Sequence, residues 1–184
     1  MKKISLLIVA FIGLIVFNTQ AQIHLGGTIG LQIPTGDMAD GMKTGFGLDL
    51  LGKYYLNDNI AIGLDVGWAR FGVEDMGFEE DIDASGAFVP LTALVEYHFG
   101  TGKVKPFIGA DLGLYIFKVK ASYQGVSAST SESYFGFAPV GGIEYDIKDN
   151  LAFTANLKYN YIMIEDSNGS YLGINAGVIF KLNK

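Results

Sequence analysis

Apolar and polar residues alternate along eight segments of the chain. In the first segment the odd positions from Ile23 to Ile33 are apolar or glycine, and the even positions are small or polar, as at His24 and Thr28. A period of two is typical of a β-strand whose two faces meet different surroundings. No charged residue occupies the apolar positions of any segment. The segments cover 23–33, 46–56, 60–68, 89–99, 108–116, 135–147, 151–161 and 172–182.

The composition of the polar positions indicates which face points inward. A soluble, lipocalin-like barrel would place the apolar rows inside and would cover its outer face with Lys, Glu, Ser and Thr. Here the polar rows are rich in Gly and Ala with scattered charges, which suits the crowded interior of an eight-stranded barrel. We therefore expect the apolar face to contact lipid, with a girdle of aromatic residues at its borders. The candidate girdle residues are Tyr54, Trp68, Tyr97, Phe99, Tyr145 and Tyr161.

Short and long connections alternate between the segments. The short ones, 57–59, 100–105 and 148–150, are rich in Asn, Asp and Gly, which favour turns. Short turns on one side and long loops on the other are typical of outer-membrane barrels. The sequence therefore predicts an all-β protein, an eight-stranded antiparallel up-and-down transmembrane β-barrel, with both termini on the short-turn, periplasmic side. The long connections are 35–43, 74–85, 118–132 and 162–170.

The first residues have the layout of an export signal. Lys2 and Lys3 precede an apolar run at 4–17, and small residues stand at Thr19 and Ala21. This layout predicts a signal peptide at 1–21 and a barrel domain at 22–184. The alternative is a retained membrane helix, but the run is short of the roughly 20 apolar residues that span a bilayer.

Composition excludes several classes of partner and site. The formal net charge is −6 and no basic patch is evident, which argues against binding to nucleic acid. The chain has no cysteine, so it has neither disulfides nor thiolate metal sites. We expect no cofactor.

The charged residues on the inward face predict a polar network that plugs the lumen. Buried charges are tolerated when they are paired, and Asp65 should lie diagonally from both Asp49 and Lys53 on the same face. We therefore expect charge pairing around Lys53, Asp49 and Asp65. The alternative, paired carboxylates for acid–base catalysis, needs environments that separate their pKa values. The predicted network comprises Asp49, Lys53, Asp65, Asp111, Glu144 and Lys158.

Two histidines are the remaining candidates for catalysis. His24 and His98 fall on the inward face near the short-turn end, and neither has a serine within two residues. A hydrolase of the acyl-transfer type needs a nucleophile held beside its base. We therefore predict no catalytic residue and no enzymatic activity, with hydrogen bonding in the lumen as the role of both rings.

An acidic connection at 74–85 partly matches a calcium-binding loop. Asp81, Asp83 and Ser85 alternate as oxygen ligands do, and Gly86 stands at the sixth position. Thr92 replaces the glutamate required at the twelfth position, so the match is incomplete. We expect a solvated acidic loop that shares divalent cations with lipopolysaccharide phosphates.

The alternating strands, the run from Pro139 to Tyr145 and the last strand resemble the small outer-membrane barrels of the OmpA and OmpX type. The resemblance implies an integral outer-membrane protein that contacts lipid and lipopolysaccharide. It also implies a terminal signal for the barrel assembly machinery, although the chain continues beyond that signal through Asn183 and Lys184. The residues that match the signal are Asn175, Gly177, Phe180 and Leu182.

Members of this family serve as adhesins, anchors, channels and enzymes, so the resemblance leaves the function open. We expect a structural or surface-interaction role, with the ligand unidentified. A narrow channel for ions or small solutes is the first alternative, because inward glycines leave space. A hydrolase embedded in the barrel is the second alternative.

Overall fold

The computed structural model describes residues 22–73, 83–100, 102–123, 126–164 and 167–182. Within these residues, eight antiparallel strands follow one another around a closed barrel, and β1 pairs with both β2 and β8. This confirms the predicted fold class. The strands are β1 (Gln22–Thr35), β2 (Met42–Tyr55), β3 (Ile60–Val73), β4 (Asp83–His98), β5 (Val104–Tyr123), β6 (Val126–Lys148), β7 (Leu151–Ile164) and β8 (Ser167–Lys181).

The apolar rows face outward, as the sequence predicts. On β1 the Ile29 side chain is 72% exposed, whereas its neighbour Thr28 is 2% exposed. The same contrast separates Leu64 from Asp65 on β3. A soluble protein would bury this row of large apolar side chains, so the outer wall fits a lipid environment.

The barrel has two unlike ends. The turn end carries the connections 56–59, 99–103 and 149–150. At the loop end a short 3₁₀ helix, Gly36–Asp40, joins β1 to β2 and places Met38 among the buried residues. Among the described residues, no helix is long and apolar enough to cross a membrane.

Several connections at the loop end are shorter than predicted. The link expected at 118–132 is a continuation of β5 and β6, whose backbones pair from Lys118 with Ser131 as far as Tyr123 with Val126. The link expected at 162–170 is likewise shortened, because β7 and β8 pair up to Ile164 with Ser167. These stretches lack apolar alternation because strands that extend beyond the membrane have no lipid-facing row.

Candidate functional site

The middle of the lumen holds a cluster of one lysine and two carboxylates, here called the middle cluster. The Lys158 ammonium, on β7, is paired with Asp65 of β3 and lies 2.7 Å from Oδ2 of Asp111 on β5. The side chains of Asp65 and Asp111 are almost fully buried. Three strands on different sides of the barrel are therefore connected across the lumen through a single cation.

The predicted pairing of Lys53 with Asp49 and Asp65 is wrong. Asp65 does lie diagonally from both residues, because it pairs in register with Leu51. Yet its charged partner is Lys158, on the far wall, and Asp49 accepts a hydrogen bond from Thr28 Oγ1 at 3.1 Å. In a lumen this narrow, a long lysine side chain reaches across the barrel more easily than it bends back along its own wall.

Lys53 belongs to a second group, the lower cluster, nearer the turn end. Its Nζ lies 2.7 Å from Oε2 of Glu96, and the same oxygen lies 2.9 Å from Nε2 of His98. The Tyr55 hydroxyl is 3.1 Å from that ring nitrogen. Lys53 also lies over the Phe107 ring, 5.1 Å from its centroid. Every member of the lower cluster is buried, so the cluster fills this level of the lumen.

Glu144, which was predicted in one network with Lys53 and Lys158, lies apart from both. Its nearest cation is Lys181 of β8, at 3.9 Å. Lys181 is paired more closely with Asp146, which also lies 3.2 Å from Lys105. These groups form the charged rim of the turn end. The six predicted lumen residues are thus all on the inward face, but the structure divides them among separate groups.

A row of amides spans the barrel seam. The Gln32 Nε2 donates to Oδ1 of Asn175 at 2.9 Å, and the Asn175 Nδ2 donates to Oδ1 of Asn156 at 3.1 Å. These bonds connect β1, β8 and β7, where the first and last strands meet. Asn175 was predicted for the assembly signal, and the structure shows that its side chain also closes this amide row.

The loop end of the lumen is filled by aromatic side chains, here called the aromatic cap. Phe71, Phe88, Tyr115 and Tyr171 are each at most 2% exposed, and Met38 from the 3₁₀ helix packs with them. The rings of Phe71 and Tyr171 meet edge to face at 5.2 Å. The Tyr115 hydroxyl donates to Oδ1 of Asn160 at 3.0 Å, which joins the cap to the polar levels below.

Two inward glycines accommodate aromatic rings, one in the aromatic cap and one in the lower cluster. A Cβ built on Gly136 would lie 2.7 Å from Cε2 of Tyr115, and one built on Gly142 would lie 2.8 Å from Cζ of Phe107. Both distances are shorter than any real contact of a Cβ atom. At these two positions, a ring occupies the space that the inward glycine leaves.

The sequence analysis missed the residues that fill the two ends of the lumen. Glu96 was on the inward face but outside the predicted network, and the aromatic cap was not predicted at all. The signal was present, since strand alternation places each of these residues inward. The missed residues are Glu96, Tyr55, Phe107, Phe71, Phe88, Tyr115 and Tyr171.

The calcium-loop prediction falls largely outside the described residues. Asp81 lies outside them, whereas the backbones of Asp83 and Ser85 belong to β4 and pair with Ser122 and Lys120 of β5. The predicted loop at 74–85 therefore ends earlier than expected. Within the part of the chain that the structure describes, no group of three or more metal-ligating side chains is arranged to hold a metal ion.

The outward members of the predicted terminal signal lie where the alternation places them. Phe180 is 50% exposed and Leu182 is 56% exposed on the lipid-facing wall. Phe180 pairs in register with Leu25 on one side and Leu151 on the other. The role of these residues in assembly stays a prediction.

Comparison with known proteins points to one class. Residues 5–180 match the family model described as outer membrane protein beta-barrel domain. An uncharacterised protein of Haemophilus influenzae is 26% identical over 185 residues, covering 98% of this chain and 99% of that protein.

Two solved structures illustrate the shared fold. Neisserial surface protein A has a TM-score of 0.65 at 20% identity, covering 88% of this chain and 99% of its own. The attachment invasion locus protein of Yersinia pestis, solved with the heparin analogue sucrose octasulfate, has a TM-score of 0.55 at 21% identity. That match covers 87% of this chain and 97% of the Yersinia protein.

Proposed function

The chain belongs to the outer membrane protein beta-barrel domain family, and we propose that its role is to display an interaction surface outside the cell. In this proposal the barrel conducts no ions and has no enzymatic activity. It is an integral protein of the bacterial outer membrane. The observation that carries the proposal is the contrast between the side chains buried along the lumen and the β5–β6 hairpin, whose β6 strand extends beyond its described pairing with β7.

The extended hairpin is the feature best placed to meet a partner. The described pairing of β6 with β7 begins at Phe135 with Met163, whereas β6 pairs with β5 from Val126 onward. Surface elements on a rigid scaffold are where binding usually occurs. The Yersinia protein of similar fold was solved with the heparin analogue sucrose octasulfate, which supports a ligand-binding role in general. We assign that role here to the loop end, with the ligand unidentified.

The arrangement of the lower cluster supports the absence of catalysis. The Nε2 of His98 is engaged by Glu96 and Tyr55, and the ring is fully buried. His24 packs against the Tyr55 ring at 4.3 Å between centroids. In this proposal His98 is a hydrogen-bonding group of the plug, whereas His24 only packs, because neither of its buried ring nitrogens has a hydrogen-bond partner among the described residues. The hydrogen-bonding role predicted for both rings is therefore wrong for His24. A histidine engaged or packed in this way disfavours the hydrolase, and a plugged lumen disfavours the channel.

The proposal includes a route to the membrane. The signal at 1–21 is cleaved after Ala21, the assembly machinery recognises the last strand, and both termini remain in the periplasm. The loop end then lies in the outer leaflet and beyond it, in contact with lipopolysaccharide. Lipid contact itself follows from the family, because the outer wall of such a barrel is its membrane surface.

Labelling of single cysteines on intact cells tests this orientation. The natural chain has no cysteine, so Ser131→Cys at the loop end and Lys103→Cys at the turn end each introduce one exposed thiol. We expect a membrane-impermeant maleimide to label Ser131→Cys on intact cells. Lys103→Cys serves as the matched control and should react only after the outer membrane is opened. If intact cells were labelled at Lys103→Cys and not at Ser131→Cys, the orientation would be opposite to the one proposed. That result would contradict surface display of the loop end.

A further inference from the structure

Two cations stand on the outer face of the barrel at the loop end, at the border of the apolar wall. They belong to β3 and β5, which β4 separates. Arg70, the only arginine of the chain, lies between the inward Ala69 and Phe71 on β3 and is exposed on the outer face. Lys118 of β5 is exposed beside Phe117, whose ring stacks on Phe88 of the aromatic cap. Both cations therefore point towards the membrane side and away from the lumen.

The register places these cations in one row with a small residue between them. Arg70 pairs with Ala87 of β4, and Ala87 pairs with Lys118. Because neighbouring strands lie about 4.8 Å apart, the two backbones are roughly 10 Å apart. Only an alanine stands between these two long side chains in the row, so both can reach one anionic group held above Ala87.

Among the described residues, these two cations differ from the lysines inside the barrel in their partners. Within the described residues, neither Arg70 nor Lys118 makes a side-chain hydrogen bond or ion pair, whereas Lys53, Lys158 and Lys181 inside the barrel are all paired. A cation on the lipid face is costly at the bilayer centre and inexpensive near the headgroups. From Ile60 to Arg70 the strand rises roughly 25 Å at a tilt of about 40°, which reaches the border of the apolar band.

The wall below the cations is apolar and continuous. Trp68 and Val66 precede Arg70 on the outward face of β3, and Ile116 and Leu114 precede Lys118 on β5. A ligand held there must carry an anionic group above and hydrocarbon below. Arginine suits phosphate in particular because its guanidinium donates two parallel hydrogen bonds.

We propose that Arg70, Ala87 and Lys118 form a binding site for a phosphorylated glycolipid of the outer leaflet, of the lipid A class. Its phosphate lies between the two cations over Ala87, and its acyl chains lie along the apolar wall. The site deepens the proposed function by naming one lipid contact of the loop end, and it rests on the orientation proposed above.

The test measures binding of lipid A with both phosphates to the refolded barrel in detergent micelles by titration calorimetry. We expect Arg70→Gln and Lys118→Gln each to weaken binding about fivefold, as one cation at a membrane surface contributes. A double variant combines Arg70→Gln with Lys118→Gln. Lipid A without its phosphates should bind the parent barrel no more tightly than it binds this double variant. Phosphatidylglycerol should bind several-fold more weakly than lipid A, and equal binding would contradict a glycolipid site.

A matched pair of alanines tests the position between the cations. Ala87→Leu fills the space between the cations and should weaken binding of phosphorylated lipid A. Ala93→Leu, on the same strand and face but between Leu64 and Leu112, should leave it unchanged. Unaltered affinity in both glutamine variants and in Ala87→Leu would overturn the proposal. Binding in micelles does not depend on which end of the barrel faces the cell exterior. A negative binding result would therefore contradict only the proposed lipid site, whereas a negative cysteine-labelling result would contradict only the proposed orientation.

Discussion

Replacement of Lys158 by methionine is expected to destabilise the barrel by about 3–5 kcal/mol, because it leaves two buried carboxylates without their cation. Asp65 and Asp111 both depend on the Lys158 ammonium. The measurement is urea unfolding of the refolded protein, followed by the fluorescence of Trp68, the only tryptophan of the chain. Water that enters the lumen would reduce this loss of stability, but Lys158→Met would still be less stable than the control variant Lys105→Met.

The control is a lysine whose ion pair is more exposed. Lys105→Met removes one of the two cations beside Asp146, and both side chains of that pair are about one quarter exposed. We expect a loss below about 1 kcal/mol. Adding Asp65→Asn and Asp111→Asn to Lys158→Met should restore part of the lost stability. If Lys158→Met and Lys105→Met unfold alike, the middle cluster does not hold the walls together.

Substitution of Phe180 by aspartate is expected to abolish insertion into the outer membrane, with degradation of the chain in the periplasm. Phe180 lies on the strand that closes the barrel and faces lipid between Leu25 and Leu151. Assembly by strand addition uses backbone hydrogen bonds for affinity and alternate side chains for specificity. The readout is the amount of protein in isolated outer membranes, together with its heat-dependent migration on gels.

A similar lesion on another strand separates targeting from stability. Phe153 is also a lipid-facing phenylalanine, on β7, and pairs in register with Tyr145 and Val178. Phe153→Asp should lower stability but still reach the outer membrane in substantial amount. Equal recovery of both variants in the outer membrane would remove any special role for the last strand.

The architecture was predictable because the two faces of each strand meet different surroundings. Lipid excludes charge from one face, and a narrow lumen admits small and polar residues on the other, so alternation indicates both the strand and its orientation. This reasoning assigned Ile29 outward and Asp65 inward correctly. Alternation is present only where a strand crosses the membrane. The backbone between Lys118 and Ser131 is paired but lies outside that region, so its sequence was interpreted as a loop.

The contacts inside the lumen were less predictable for a geometric reason. Alternation gives the face of a residue, but a partner across the lumen depends on how the strands are staggered around the barrel. Lys158 and Asp65 are 93 residues apart and are not on neighbouring strands. The aromatic cap was missed because only charged and polar residues were considered as groups that fill the lumen, although alternation places its rings on the inward face.

The central claim is that the lumen is closed, and recording across a planar lipid bilayer tests it most directly. Refolded parent protein should produce no discrete conductance steps above those of a mock-refolded control. The side chains of the lower cluster, the middle cluster and the aromatic cap are buried at successive levels of the lumen, and we expect them to block the passage of ions. Uniform, repeated openings that appear only with the parent protein would contradict the plug and identify the barrel as a channel.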